Sequence, residues 1–338
     1  MSASLIQIEP LEFPSRLTGI ARLAAAGESL RVGHDVEYFT LPSRALLNRC
    51  VSRMKLPFTW TINPYRGCEF ACKYCYARYT HEFMEMRDGL DFERKIYVKQ
   101  EAAWLLRQEL RQAKPGEQIA IGTATDPYQP AERRFEVTRG ILEEFARHRG
   151  LELGIVTKSD LVARDIDVLR EVARYNSLYI SVTVTTVNTR LARILEPRAP
   201  RPDLRLQAVS KLVQAGLNAG VICSPVMPGI TDSPSSLEKV VRGAKEAGAR
   251  YLYANSVFLK PCSASVFLPF LENEFPQLVE SYRKRFAGRT FISKAYRERL
   301  SALMSALRTK HGMKKQMLDR KSVSEEYRAE DVQMALFG

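Results

Sequence analysis

From Phe58 onward the chain alternates short apolar, β-rich runs with longer segments in which apolar residues return every three or four positions. The runs at 58–62, 118–123, 151–157, 178–185, 217–224 and 251–255 predict strands. The segments at 98–112, 134–148, 161–175, 204–215 and 237–247 predict the helices between them, with Ala102, Leu105, Leu106 and Leu110 on one face of the first. Pro115-Gly116, Gly150, Gly216 and Gly248 stand where the helical period stops. Six strands separated by helices predict a parallel α/β architecture. An open doubly wound sheet and a barrel share that pattern. In a barrel the chemistry collects at the carboxyl ends of the strands, so the polar residues after each strand are read together as one site.

The flanks follow other patterns. Residues 1–57 show no clear repeat, and 42–54, with Ala45, Leu46 and Leu47 near its start, predicts a short helix packed against the core. Beyond Lys260, 267–286 and 294–311 predict two helices and 322–338 a final short one, while 283–321 is strongly basic. The expected organisation is an N-terminal extension (1–57), a core (58–258) and a basic C-terminal helical region (259–338).

Composition narrows the class. With 338 residues, 45% hydrophobic and 26% charged, the chain has the make-up of a soluble globular protein. It contains no apolar run of membrane-spanning length and no basic-then-apolar leader, which predicts a cytoplasmic protein with no membrane partner. A net charge of +13 favours a polyanionic partner such as DNA or another nucleic acid. Six cysteines, three of them clustered, fit a reducing compartment and a metal better than a disulfide framework.

The clustered thiols are Cys68, Cys72 and Cys75, spaced C-x3-C-x2-C in one loop after the first predicted strand. Three readings suit that spacing. The thiols are buried packing residues, they hold a zinc completed by His81, or they ligate a [4Fe-4S] cluster that keeps one iron free for a substrate or cofactor. Further along, Thr125 and Asp126 lie in the loop after the second strand, where hydroxyl, carboxylate and a forced turn suit a small zwitterion or an Asp-Pro turn. Lys158 follows the third strand and can pair with a carboxylate, beside a Ser159 or Asp160 helix cap. Alternation puts Ser181, Thr183 and Thr185 on one side of the fourth strand. Cys50, Cys223 and Cys262 have no cysteine neighbours and read as packing residues, with Cys223 expected to face the barrel interior.

The stretch 65–78 resembles the radical S-adenosylmethionine (SAM) superfamily and, within it, the spore photoproduct lyase-like group. Tyr74-Cys75-Tyr76-Ala77-Arg78 is the specific part of the match. The resemblance implies a partial (β/α)6 barrel over roughly 58–258. It also implies a [4Fe-4S] cluster on Cys68, Cys72 and Cys75, whose open iron binds SAM through its amino and carboxylate groups. Carried over by position, Thr125 and Asp126 lie near the SAM amino group, Lys158 near its carboxylate, Ser181 near its ribose or methionine part, and Ile222 in a strand that packs on adenine. Tyr74 and Tyr76 become candidates to contact substrate or relay a hydrogen atom. The Glu196-Pro197-Arg198-Ala199-Pro200 stretch, followed by Arg205, resembles a recurring segment of the family. Reductive cleavage of SAM needs an electron donor such as flavodoxin or ferredoxin, and the group's substrate is a thymine lesion in DNA. One departure stands out: the lyases carry a hydrogen-donating cysteine at the position of Thr123, and the strand 118–123 holds no thiol. Glu69 stands where many relatives have His. A radical SAM enzyme acting on a peptide, RNA or small molecule, and a non-catalytic zinc protein binding nucleic acid, are the rival readings.

Overall fold

The computed structural model describes residues 17–32, 35–50, 58–114 and 116–313. Eleven strands form two sheets among these residues. In chain order they are β1 (Ser29–Val32), β2 (Glu37–Thr40), β3 (Asn48–Arg49), β4 (Trp60–Ile62), β5 (Tyr65–Arg66), β6 (Lys95–Val98), β7 (Gln118–Ile121), β8 (Glu152–Thr157), β9 (Ser177–Thr183), β10 (Ala219–Val226) and β11 (Leu252–Ser256). The larger sheet runs β11-β10-β9-β8-β7-β4-β3. Its six core strands are parallel, and only β3 is antiparallel to its neighbour β4.

Spatial order therefore follows chain order through all six core strands. A doubly wound sheet reverses direction at a switch point; this sheet does not, which makes it a run of barrel strands. No pairing among the described residues joins β11 back to β3. A smaller sheet, β1-β2-β6-β5, stands beside it.

The sheet is stable because its strands present a continuous apolar face to the helices. Ile119, Ile121, Leu153, Ile155, Ile180, Val182 and Val221 are buried against Leu106, Ile141, Leu142, Leu169, Val209, Leu212 and Val240. Gly220 is required at the β10–β11 contact, where an added Cβ would lie 2.3 Å from the Tyr251 ring. Cys223 belongs to this helix-facing core. It was expected to face the barrel interior, but strand alternation gives that side to its neighbour Ile222.

Several expected helices are shorter or broken. The segment 42–54 is extended rather than helical over its described part: Glu109 Oε2 accepts from the Leu46 and Leu47 amides at 2.9 and 2.7 Å, and the chain then pairs as β3. Val98 ends β6, so the next helix runs only from Ala102 to Glu109 and tightens into a 3-10 turn over Leu110–Gln112. Glu136, at φ +48°, splits 134–148 into Glu132–Phe135 and Val137–Phe145. The 161–175 helix begins as 3-10 turns over Asp160–Asp165 and becomes α-helical at Ile166–Tyr175. The residue before a proline is pushed out of the helical region, and Phe275, ahead of Pro276, sits at φ −141°, so 267–286 becomes Pro261–Glu274, a 3-10 turn over Pro276–Leu278 and Val279–Phe286. The helix Thr189–Leu195 had no counterpart in the sequence pattern. The segment 322–338 lies outside the described residues.

A second core lies at the carboxyl ends of the strands. There Phe267, Leu271 and Tyr282 of the C-terminal helices pack with Phe70, Ala77, Phe92 and Leu195 around the cysteine loop. Part of the basic charge of these helices is paired: Arg283 with Glu272, Lys284 with Glu280, and Lys310 with Glu238 of the helix Pro234–Glu246. No helix among the described residues is long and apolar enough to cross a membrane.

Candidate active site

The cysteine loop is held from several sides by its own backbone and two buried acids. Gly67 enters it at φ +82°, where a Cβ would lie 2.7 Å from the Lys95 carbonyl and 2.9 Å from that of Phe92, so only glycine fits. Its carbonyl accepts from Thr125 Oγ1 at 2.6 Å and Gln129 Nε2 at 3.1 Å. Glu69 is buried. It accepts from the Ala131 amide (2.7 Å) and the Tyr38 hydroxyl (2.8 Å), while its own amide donates to Gln129 Oε1 (3.0 Å). Ala71, at φ +55°, turns the chain back toward Cys72. On the far side Lys73 N donates to Leu195 O (3.0 Å) and Arg198 N to Phe70 O (3.3 Å). Arg78, its side chain fully buried, donates to Cys72 O (3.1 Å), Gly89 O (2.5 Å) and Glu93 Oε2 (2.6 Å).

The three thiols are free. Burial, then Asp126 and the other two thiols, pushes the Cys68 pKa well up; burial carries Cys72 to about 12 and raises Cys75. Lys158 works against burial at Cys72, as Arg78 does at Cys75. Three free thiols gathered in one loop, with Lys158 and Arg78 as the cations beside them, offer a set of thiolate donors to a positively charged centre, whose binding would release their protons. No three His, Cys, Asp or Glu side chains among the described residues converge on a point where one ion would sit. Three thiolates match a [4Fe-4S] cluster with one iron left open, whereas a structural zinc wants four closed ligands, so this donor set fits a cluster better than a single zinc. His81 takes no part: its Nε2 lies 3.1 Å from Lys95 O and its ring packs on Phe92 and Tyr97.

Around the loop, the strand ends supply a polar network. Asp126 accepts from Thr157 Oγ1 (2.6 Å), Lys158 N (2.7 Å) and Tyr128 N (2.9 Å), which fixes its carboxylate between β7 and β8. Lys158 Nζ lies 5.6 Å over the Tyr74 ring. Burial opposes its charge, but Cys72 and Glu196 raise its pKa on balance. Glu196 is a buried hub. It accepts from the Tyr74 hydroxyl and from Thr185 Oγ1 (2.7 Å), and pairs with Arg205 at 2.5 Å. Burial alone would raise its pKa; Arg205 and Lys158 reverse this and lower it. Arg205 also donates to Pro200 O (2.7 Å) and Thr183 O (3.2 Å). Ser181 Oγ lies 3.1 Å from the Tyr251 hydroxyl, and Ile222 is buried on the next strand.

The residues singled out from sequence thus come together, with an unforeseen division of labour. Asp126, Lys158, Ser181 and Ile222 stand at the ends or inner faces of adjacent strands. Thr125 is engaged by the cysteine loop, since its hydroxyl donates to Gly67 O. The two tyrosines separate. Tyr74 is buried with its hydroxyl on Glu196, whereas Tyr76 is half-buried, donates to Thr123 O and lies 5.2 Å (centroid to centroid) from Phe258, itself 5.5 Å from Phe291. Sequence reasoning missed Gln129, Arg78 and the Tyr76–Phe258–Phe291 row. The Asp-Pro-Tyr-Gln-Pro run was the only signal for Gln129; nothing local marked the aromatic row.

The family model described as the Radical SAM superfamily matches residues 62–247. An uncharacterized protein of Mycobacterium tuberculosis (strain ATCC 25618 / H37Rv) is 34% identical over 269 residues, 79% of each chain. One of Methanocaldococcus jannaschii is 28% identical over 233 residues, 69% of this chain and 83% of its own. Among solved structures, spore photoproduct lyase with bound AdoMet and dinucleoside spore photoproduct superposes with a TM-score of 0.59 at 16% identity, over 80% of this chain and 78% of its own. At that identity the likeness speaks for the fold. The cysteine spacing, the in-order parallel sheet and the matched family model together place the chain in the radical SAM superfamily.

Proposed function

We propose that this radical SAM enzyme acts on a damaged or modified base in nucleic acid, as a spore photoproduct lyase-like DNA-repair enzyme with a different hydrogen donor. When bound, the [4Fe-4S] cluster and SAM supply reductive cleavage of SAM to methionine and a 5′-deoxyadenosyl radical that abstracts a substrate hydrogen. The chain's own residues bind and orient. Cys68, Cys72 and Cys75 would hold the cluster, Asp126 would take the SAM amino group with Thr125 bracing the loop behind it, and Lys158 would take the carboxylate. Ser181 would meet the ribose or methionine portion, and Ile222 would pack on adenine. Tyr74 keeps Lys158 in place through Glu196.

The observation that carries the substrate reading is the row Tyr76, Phe258 and Phe291 beside the cysteine loop. Three half-buried rings in succession suit stacking with planar bases, which is worth about 1–3 kcal/mol per base. Tyr76 joins that row to Thr123, where the lyases carry their donor thiol, and it is our candidate for hydrogen-atom relay. An O–H bond is a poorer hydrogen-atom donor than S–H, so the terminal step differs from the lyase reaction. Six free cysteines fit a reducing compartment, and we place the protein in the cytoplasm.

The test is anaerobic iron-sulfur reconstitution followed by dithionite and SAM, with 5′-deoxyadenosine read by chromatography. The wild type is expected to form it and Cys72→Ala to form none. Irradiated DNA should raise the yield above that of intact DNA. A colourless zinc protein that leaves SAM whole would overturn the enzyme reading; equal yields with intact DNA, irradiated DNA and no DNA would overturn the substrate reading alone.

A further inference from the structure

Electrons must reach the cysteine loop from outside, and its surroundings leave few approaches. The strand-end side carries Asp126, Lys158 and Ser181. The C-terminal helices cover another side through Phe267 and Leu271. A third is closed by the buried Glu69–Tyr38–Gln129 contacts. A fourth is closed by the Gly89–Glu93 stretch, through the buried Arg78 and the Cys68 N–Phe92 O bond, which leaves the segment from the helix Thr189–Leu195 to Arg201. It touches the loop directly, through Lys73 N to Leu195 O and Arg198 N to Phe70 O.

The outer face of this segment is basic. Arg190, Arg193 and Arg198 are exposed, and Lys73, next to Cys72 in the chain, is partly exposed. Arg190, Arg193 and Lys73 meet no carboxylate at ion-pairing distance among the described residues; Arg198 meets only Asp35, at 3.5 Å. Arg201 is neutralised locally by Asp203 at 2.7 Å. Inward, Leu195 and Ala199 pack on Phe70 and Cys72, so the cations stand one layer of chain from the cluster thiols.

We propose that this face, Lys73 with Arg190, Arg193 and Arg198, docks a small acidic one-electron carrier protein. The inference rests on the radical SAM assignment. The carrier is oxidised by one electron, the cluster is reduced by one, and no atom is transferred. Charge complementarity of this kind acts mainly on association rate and salt dependence, which suits a carrier that must dock, deliver and leave.

The experiment compares the wild type, Arg190→Glu/Arg193→Glu and, as a control of equal sign on the remote end of the barrel, Arg174→Glu. Binding of an acidic flavodoxin is measured by interferometry at 20–30 mM and again at several-fold higher salt, values chosen as roughly those where screening is weak and strong. The double variant should bind about tenfold more weakly at low salt, with a flatter salt dependence. Flavodoxin-supported 5′-deoxyadenosine formation should fall by the same factor, while dithionite-supported formation stays at the wild-type level. Unchanged binding by the double variant, or an equal loss in Arg174→Glu, would overturn the docking face. Absence of SAM cleavage by the wild type with dithionite would instead count against the enzyme reading, and the binding data would still decide the surface.

Discussion

The two faces of strand β9 obey different rules. Ile180 and Val182 point to the helices and are fully buried among aliphatic side chains. Ser181 and Thr183 point the other way, equally hidden from solvent, yet Ser181 Oγ meets the Tyr251 hydroxyl, and just past the strand Thr185 Oγ1 donates to Glu196, the partner of Arg205. The first face gains from removing apolar surface from water and needs only a close fit. The second is tolerable only because nearly every buried polar group finds a partner. Burial alone does not distinguish them; what happens when one member is removed does.

The largest effect should come from breaking the polar face at its hub. Glu196→Ala leaves Arg205 charged and buried, and on that ground unfolding in denaturant should show a loss on the order of 3–5 kcal/mol. Adding Arg205→Met should restore most of the stability and none of the SAM affinity, because Lys158 has lost the carboxylate beside it. Recovery of both would mean that the network is structural only.

Adjacent positions on β9 sharpen the contrast. Ile180→Ala should reduce stability by about 2–5 kcal/mol through the cavity it leaves, with calorimetric SAM affinity of the reconstituted protein near wild type. Ser181→Ala should lower stability by about 1 kcal/mol and weaken SAM binding. The reverse pattern would remove Ser181 from the SAM site.

The last effect is a slope rather than a single loss. Lys99 is buried, and burial with Arg66 nearby lowers its pKa from 10.5 to about 7, only partly offset by Glu109. Between pH 7 and 10.5 the unfolded chain therefore holds a proton that the folded chain has released, so stability contributed by this site rises with pH across that window. Lys99→Met should flatten the rise between pH 7 and 9 in denaturation midpoints. An unchanged slope would show that Lys99 is not its source.

The sequence by itself determined the six core strands and the helices between them, the cysteine loop and the placing of Asp126, Lys158, Ser181 and Ile222 on or just after those strands, while the in-order arrangement that separates a barrel from a doubly wound sheet came from the tertiary structure. Each of the former is written in a local signal: a period, a spacing, or a polar residue next to an apolar run. Tertiary structure decided what those signals could not carry. Glu136 broke a helix that apolar period alone would continue, and Glu37–Thr40 became a strand because β6 was there to pair with it, with Ser29–Val32 pairing on its other edge. The same holds for the site's supporting parts. Glu69, Gln129 and Arg78 acquire their roles only from loops brought beside them, and Tyr76, Phe258 and Phe291 form a row although they come from three distant parts of the chain. Contacts between residues far apart in sequence leave no periodic trace in it, which is why the chemistry was legible early and its scaffolding was not.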